Sequence, residues 1–157
     1  MEQKLTAQEQ FEAHMKLLGL CDSRSHDDDM KDIDEVYPRL YQSSYIVPTE
    51  NLALMKELGI THILAILPTE PRFPEHFTYL WFSKIHDSND QNLDQYLKEG
   101  VKFITDALKN PTNKVLCHCA AGISRSGAFN TAYMLTQEPS WSVDDCIAAA
   151  KKRRPIF

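Results

Sequence analysis

The run from Lys114 to Thr136 constrains the fold of this chain more than any other. Lys114 to His118 reads as a short buried strand, and Ser124 to Thr136 as a long helix. Between them lies Cys119-Ala120-Ala121-Gly122-Ile123, a tight loop in which Gly122 permits a positive φ or a close backbone approach. A strand delivering a loop onto a helix N-terminus is a βα unit, and the rest of the chain repeats that alternation. Thr49 opens a helix that runs through Leu58, with Leu52, Met55 and Leu58 facing inward, and Gly59 stops it. Ile60 to Leu67 is a β-branched apolar run, read as a buried strand. Pro68, Pro71 and Pro74 mark a loop before a second strand, Thr78 to Ile85. Leu93, Tyr96, Leu97, Val101, Ile104 and Leu108 recur at helical spacing, and Asn110-Pro111 ends that helix. A last helix runs from Ser142, its N-cap, to Arg154. Strands alternating with helices predict an α/β domain whose mostly parallel central sheet is flanked by helices on both faces.

Ahead of this domain, Thr6-Ala7-Gln8-Glu9 reads as a capping box that opens a helix, with Phe11, Met15 and Leu18 on one face and Gly19 at its end. Cys21 to Asp32 is polar and reads as a linker, so the expected division is an appendage over residues 1–32 and a main domain over 33–157. With 43% hydrophobic and 25% charged residues, the chain has the composition of a globular protein. No apolar run approaches the roughly 18 residues that mark a membrane span, and the polar start carries no signal peptide, so cytoplasm or nucleus is the expected location and no membrane partner is expected. A net charge of −5 disfavours nonspecific attraction to nucleic acid. The basic cluster Lys151-Lys152-Arg153-Arg154 reads as a solvated helix face. Cys21, Cys117, Cys119 and Cys146 read as free thiols, and with no CxxC pair and scattered histidines neither a metal site nor a cofactor is expected.

The loop carries the chemistry. A phosphate monoester dianion repels an anionic nucleophile, so oriented donors must gather its charge before attack. Backbone amides of Ala120, Ala121, Gly122, Ile123 and Ser124, ending on a helix N-terminus, supply such donors. Arg125 adds a planar fork suited to two phosphate oxygens. The same positive field favours a thiolate at Cys119, which then attacks phosphorus and forms a phosphocysteine.

The run His118-Cys119-Ala120-Ala121-Gly122-Ile123-Ser124-Arg125-Ser126 resembles the signature of cysteine-based protein tyrosine phosphatases, and Ala-Gly-Ile-Ser-Arg-Ser resembles their dual-specificity branch. Glu35-Val36-Tyr37-Pro38-Arg39-Leu40-Tyr41, Leu58-Gly59-Ile60-Thr61-His62-Ile63-Leu64 and Ala132-Tyr133-Met134-Leu135 are similar to other parts of that family, so the resemblance spans Ile33 to Phe157. Gln42-Ser43 departs from it, standing where Leu-Gly or Val-Gly is common, a change expected to affect only the local turn. The chain also stops at Arg153-Arg154-Pro155-Ile156-Phe157, where the resemblance implies a Pro-Asn turn and one more helix.

Four more residues have expected roles, those of Asp87 and Ser126 implied by the resemblance. Asp87, after the strand that ends at Ile85 and before a long helix, is the expected general acid, with Asp90 as runner-up but better suited to cap that helix. Ser126 is expected to donate to the departing Cys119 thiolate. His118 is expected to order the loop rather than to exchange protons, and Cys117 to be a packed thiol. Ala120, Ala121 and Ile123 add no charge to the loop, which favours a phosphoprotein partner, protein kinases among the candidates, over a lipid, RNA 5′-triphosphate or glycan. A phosphopeptide-binding scaffold on the same fold is the alternative from another class.

Overall fold

A computed structural model of the chain describes residues 26–85 and 93–157. The helix expected from Thr6 to Gly19, the residue Cys21, and both candidate acids, Asp87 and Asp90, lie outside the described residues. The central layer is a five-stranded sheet, in the order β1 (Ile33–Tyr37), β2 (Leu40–Ser43), β5 (Val115–His118), β3 (His62–Ala65), β4 (Thr78–Trp81). Only the β1–β2 pair is antiparallel. The helices are α1 (His26–Asp29), α2 (Ile46–Glu50), α3 (Leu52–Leu58), α4 (Asp94–Leu108), α5 (Ser124–Gln137) and α6 (Val143–Lys151). No helix among the described residues is long and apolar enough to cross a membrane.

Strand alternation sends successive side chains to opposite faces, and each face has its own core. On one, Leu40, Leu64, Val115 and Cys117 pack against Ile104 and Leu108 of α4, Phe129, Tyr133 and Met134 of α5, and Cys146 and Ala150 of α6. On the other, Tyr41, Ile63 and Leu116 meet Val47 of α2 and Met55 of α3. This is the expected α/β arrangement with both faces covered. β5 lies between β2 and β3 and is parallel to both, so its C-terminal end opens at the middle of the sheet's upper edge. In open α/β sheets, such a point is where ligands bind.

Several boundaries differ from expectation, for identifiable reasons. The helix expected from Thr49 to Leu58 is two helices. The Thr49 hydroxyl donates back to the Tyr45 carbonyl at 2.7 Å, so it does not cap a new helix. Asn51 caps α3 instead, accepting from Leu54 N at 3.2 Å. Gly59, at φ +83°, ends α3 in the left-handed conformation. The run Ile33 to Tyr37 forms the edge strand β1, and β3 and β4 are each four residues, shorter than the apolar runs that contain them. Apolar residues flanking those strands, such as Ile60, Ile66, Phe82 and Ile85, are buried outside the ladder. Ser142 caps α6 through a reciprocal pair with Asp145.

The basic cluster is corrected at one position. Lys151, Lys152 and Arg153 are exposed, but α6 ends at Lys151 and Arg154 turns inward to 0% exposure. It pairs with Asp32 at 2.9 Å and Asp34 at 2.8 Å. Asp32 belongs to the stretch read as linker, and it is itself 7% exposed. The reason is charge compensation: a buried guanidinium persists only with carboxylates and acceptors around it.

Candidate active site

The site is built by β5, the five-residue loop after it, and the first turn of α5. Cys119 follows the last β5 residue and is 2% exposed, at the floor of the loop. Gly122 has φ +71°, and a Cβ there would overlap the Ser43 carbonyl and the Ser44 nitrogen. The loop therefore passes so close to the end of β2 that only glycine fits. Ile123 occupies the N-cap of α5 without a side-chain capping bond, and no acidic residue lies in the first turn. The leading N–H groups of α5 thus lack the side-chain acceptor that Ser142 gives α6, and a helix start of this kind suits an anion.

Sulfur and hydroxyl meet here: Cys119 Sγ lies 3.3 Å from Ser126 Oγ, and Ser126 is fully buried. Arg125 is half-buried. Its Nη1 donates to the Ile85 carbonyl at 3.4 Å, and its Nε is buried with no hydrogen-bond partner among the described residues. His118 is buried below the loop, with Nδ1 likewise unpartnered among those residues. Burial pushes its ring down to about 4 against the pull of the adjacent Cys119 backbone, and the Arg125 guanidinium adds to the downward push. At neutral pH the imidazole is therefore uncharged, which fits ordering the loop better than carrying protons. Cys117 is fully buried, its Sγ 3.8 Å from the Ser126 carbonyl. Burial, and then the neighbouring Cys119, push that thiol up, so it stays neutral.

Sequence reasoning missed the groups behind the loop. Gln42, fully buried on β2, donates through Nε2 to the Gly122 carbonyl at 2.8 Å and to the Ile123 carbonyl at 3.4 Å. Its Oε1 accepts from Asn130 Nδ2 at 2.8 Å. Arg154 Nε donates to the same Gly122 carbonyl at 3.0 Å. Tyr45 N donates to the Ala120 carbonyl at 3.1 Å. The Gln42-Ser43 pair therefore does more than shape a turn: it reaches under the loop. The available signals were a glutamine following Leu40 and Tyr41 in a short strand and an asparagine one residue after Phe129 on α5.

Fold and loop together define a cysteine-loop α/β domain, and comparison with known proteins gives it a family. Residues 40–157 match the dual specificity phosphatase catalytic domain. The chain is 35% identical over 135 residues to the tyrosine-protein phosphatase yvh1 of Schizosaccharomyces pombe, covering 85% of this chain and 39% of that protein. It is 34% identical over 122 residues to dual specificity protein phosphatase 22-A of Danio rerio, covering 78% of this chain and 57% of the relative. Among solved structures, that of DUSP15 superposes with a TM-score of 0.73 at 30% identity, covering 80% of this chain and 78% of the other. The human tyrosine phosphatase-like serine/threonine/tyrosine-interacting protein also gives a TM-score of 0.73, at 29% identity, covering 80% and 86%. This chain belongs to the dual-specificity phosphatase family within the cysteine-based protein tyrosine phosphatases. It spans less than two thirds of the length of the curated relatives named here.

Proposed function

We propose that this chain is a dual-specificity protein phosphatase, hydrolysing phosphotyrosine and phosphoserine or phosphothreonine through a phosphocysteine intermediate. One observation carries the reading: Cys119 Sγ and Ser126 Oγ sit 3.3 Å apart at the start of a helix whose first amides lack a side-chain cap. Family membership supplies the reaction class, and the catalytic domain occupies residues 33–157, with Asp32 of the preceding stretch built into it through Arg154.

In the first step Cys119 attacks phosphorus as thiolate while the P–O bond to the leaving group breaks. Asp87 donates a proton to that oxygen, and the Arg125 fork with the amides of Ala120 to Ser124 holds the three remaining phosphoryl oxygens. In the second step Asp87 takes a proton from water, water attacks phosphorus, and the P–S bond breaks. Ser126 then donates to the departing sulfur, the only part of the cycle in which a neutral hydroxyl beside the thiolate is needed. For Asp87 the support is its place in the sequence. It stands two residues after Ile85, whose carbonyl Arg125 already holds.

Substrates follow from the loop's chemistry. Alanine at 120 and 121 and isoleucine at 123 add no cation to recognise a second phosphate, which favours singly phosphorylated side chains of proteins, protein kinases among them. Fold alone does not separate an enzyme from a binding protein, since an interacting protein shares it; an intact nucleophile beside Ser126 is what favours turnover. The experiment is steady-state hydrolysis of p-nitrophenyl phosphate and phosphopeptides by wild type and Asp87→Ala. The variant should lose about 10³-fold in kcat with KM little changed. Equal kcat in the two proteins overturns the role of Asp87, and no turnover by wild type on any phosphopeptide overturns the enzymatic reading.

A further inference from the structure

Gln42 and Asn130 are two fully buried amides, 88 residues apart in sequence, that meet each other. Gln42 pairs in register with Cys117, so its side chain leaves the sheet on the Cys117 face, where α5 packs. The orientation of its amide is unambiguous. The Gly122 carbonyl can only accept, so the end that touches it at 2.8 Å is the NH₂, and the oxygen is left for Asn130.

The consequence for the loop follows from peptide geometry. In a trans peptide the C=O and the next N–H point in opposite directions, and no described peptide bond is cis. Drawing the Gly122 and Ile123 carbonyls toward Gln42 turns the N–H groups of Ile123 and Ser124 away from it. Tyr45 N does the same at the Ala120 carbonyl, turning the Ala121 N–H. The Ala120, Gly122 and Ile123 carbonyls are thus taken from outside the loop, with Arg154 Nε and Gly127 N sharing the last two, and the amides that follow them are turned the other way.

Stability alone does not account for the pair. Asn130 Oδ1 is buried without a partner among the described residues, a cost that two aliphatic side chains of similar size would avoid. We propose that Gln42, seated by Asn130, is a positioning residue of this active site, fixing the direction of the loop amides that receive the phosphate. The inference rests on the phosphatase reading, but its readouts need no turnover.

The test uses Gln42→Met, which keeps length and removes the donor, and the double variant Gln42→Met/Asn130→Leu, which removes both amides. Two properties are measured: the pH midpoint of Cys119 alkylation by iodoacetamide, located by mass spectrometry, and the protection of Cys119 by inorganic phosphate. In both variants the midpoint should rise by about 1 pH unit and phosphate protection should weaken about 10-fold, because misaimed amides stabilise anions less. The double variant should match or exceed wild type in urea denaturation, and it gives the reading if Gln42→Met alone folds poorly. A double variant with the wild-type midpoint and wild-type protection overturns the proposal and makes the pair mere filling. If wild-type Cys119 is protected by phosphate but nothing is hydrolysed, only the enzymatic reading falls.

Discussion

Two sets of side chains meet the loop between β5 and α5, and they differ in how completely they are satisfied. Cys119, Arg125, His118 and Ser126 form the reactive set, in which Arg125 Nε and His118 Nδ1 are buried without partners among the described residues. Gln42, Tyr45 and Arg154 form the supporting set, in which every hydrogen bond to the loop is a donor meeting a loop carbonyl. Buried polar groups are normally paired, so unpaired ones mark where a structure gives up stability for another end. At neutral pH the reactive set should therefore govern turnover with little effect on stability, and the charged member of the supporting set should govern stability first.

The sharpest way to break that contrast is Cys119→Ser. Turnover of p-nitrophenyl phosphate should fall by about 10⁴-fold or more, with the melting temperature nearly unchanged. A large drop in melting temperature would show that the nucleophile is also structural. Arg154→Met tests the other set. Burial disfavours the Arg154 charge, but Asp32 and then Asp34 more than reverse this, so the group is firmly cationic. Removing it strands a buried carboxylate at Asp32 and should cost about 3–5 kcal/mol in urea denaturation.

His118 gives a pH test that sharpens the comparison. Its folded value of about 4 lies below the ordinary 6.5, so the unfolded chain binds a proton first as pH falls. Stability is complete above about pH 6.5 and drains as pH drops toward 4, by up to about 3 kcal/mol from this ring. Urea midpoints measured across that window should fall less steeply in His118→Gln than in wild type. Smallest is Ser126→Ala, which should lower kcat about 10-fold by slowing release of phosphate from sulfur, visible as a burst in pre-steady-state kinetics. Absence of a burst would mean that the hydroxyl 3.3 Å from Cys119 is not used in that step.

What was legible in the sequence divides along the same line. The strand, loop and helix around Cys119 are contiguous, and the chemistry of attack and clamping is written in nine neighbouring residues from His118 to Ser126. Periodicity likewise announced α4, and the Ser142 cap announced the start of α6. The supporting set was not legible, because its partners are far apart: Gln42 reaches Gly122 across 80 positions, and Arg154 reaches Asp32 across 122. A run of four basic residues ordinarily means a solvated surface, and no local pattern shows that two acids from the first strand region will claim the last of them. The split of the Thr49 helix was hidden for a smaller reason, since Thr49 and Asn51 are both plausible caps until the backbone decides where the turn falls.

The tie from Arg154 to Asp32 and to the Gly122 carbonyl joins nearly the whole length of the described chain at one point. During synthesis at about 5–20 residues per second, the nucleophile emerges well before the arginine that braces its loop. A nascent chain thus carries its cysteine in an unfinished cradle until Arg154 has been added and can reach the Gly122 carbonyl.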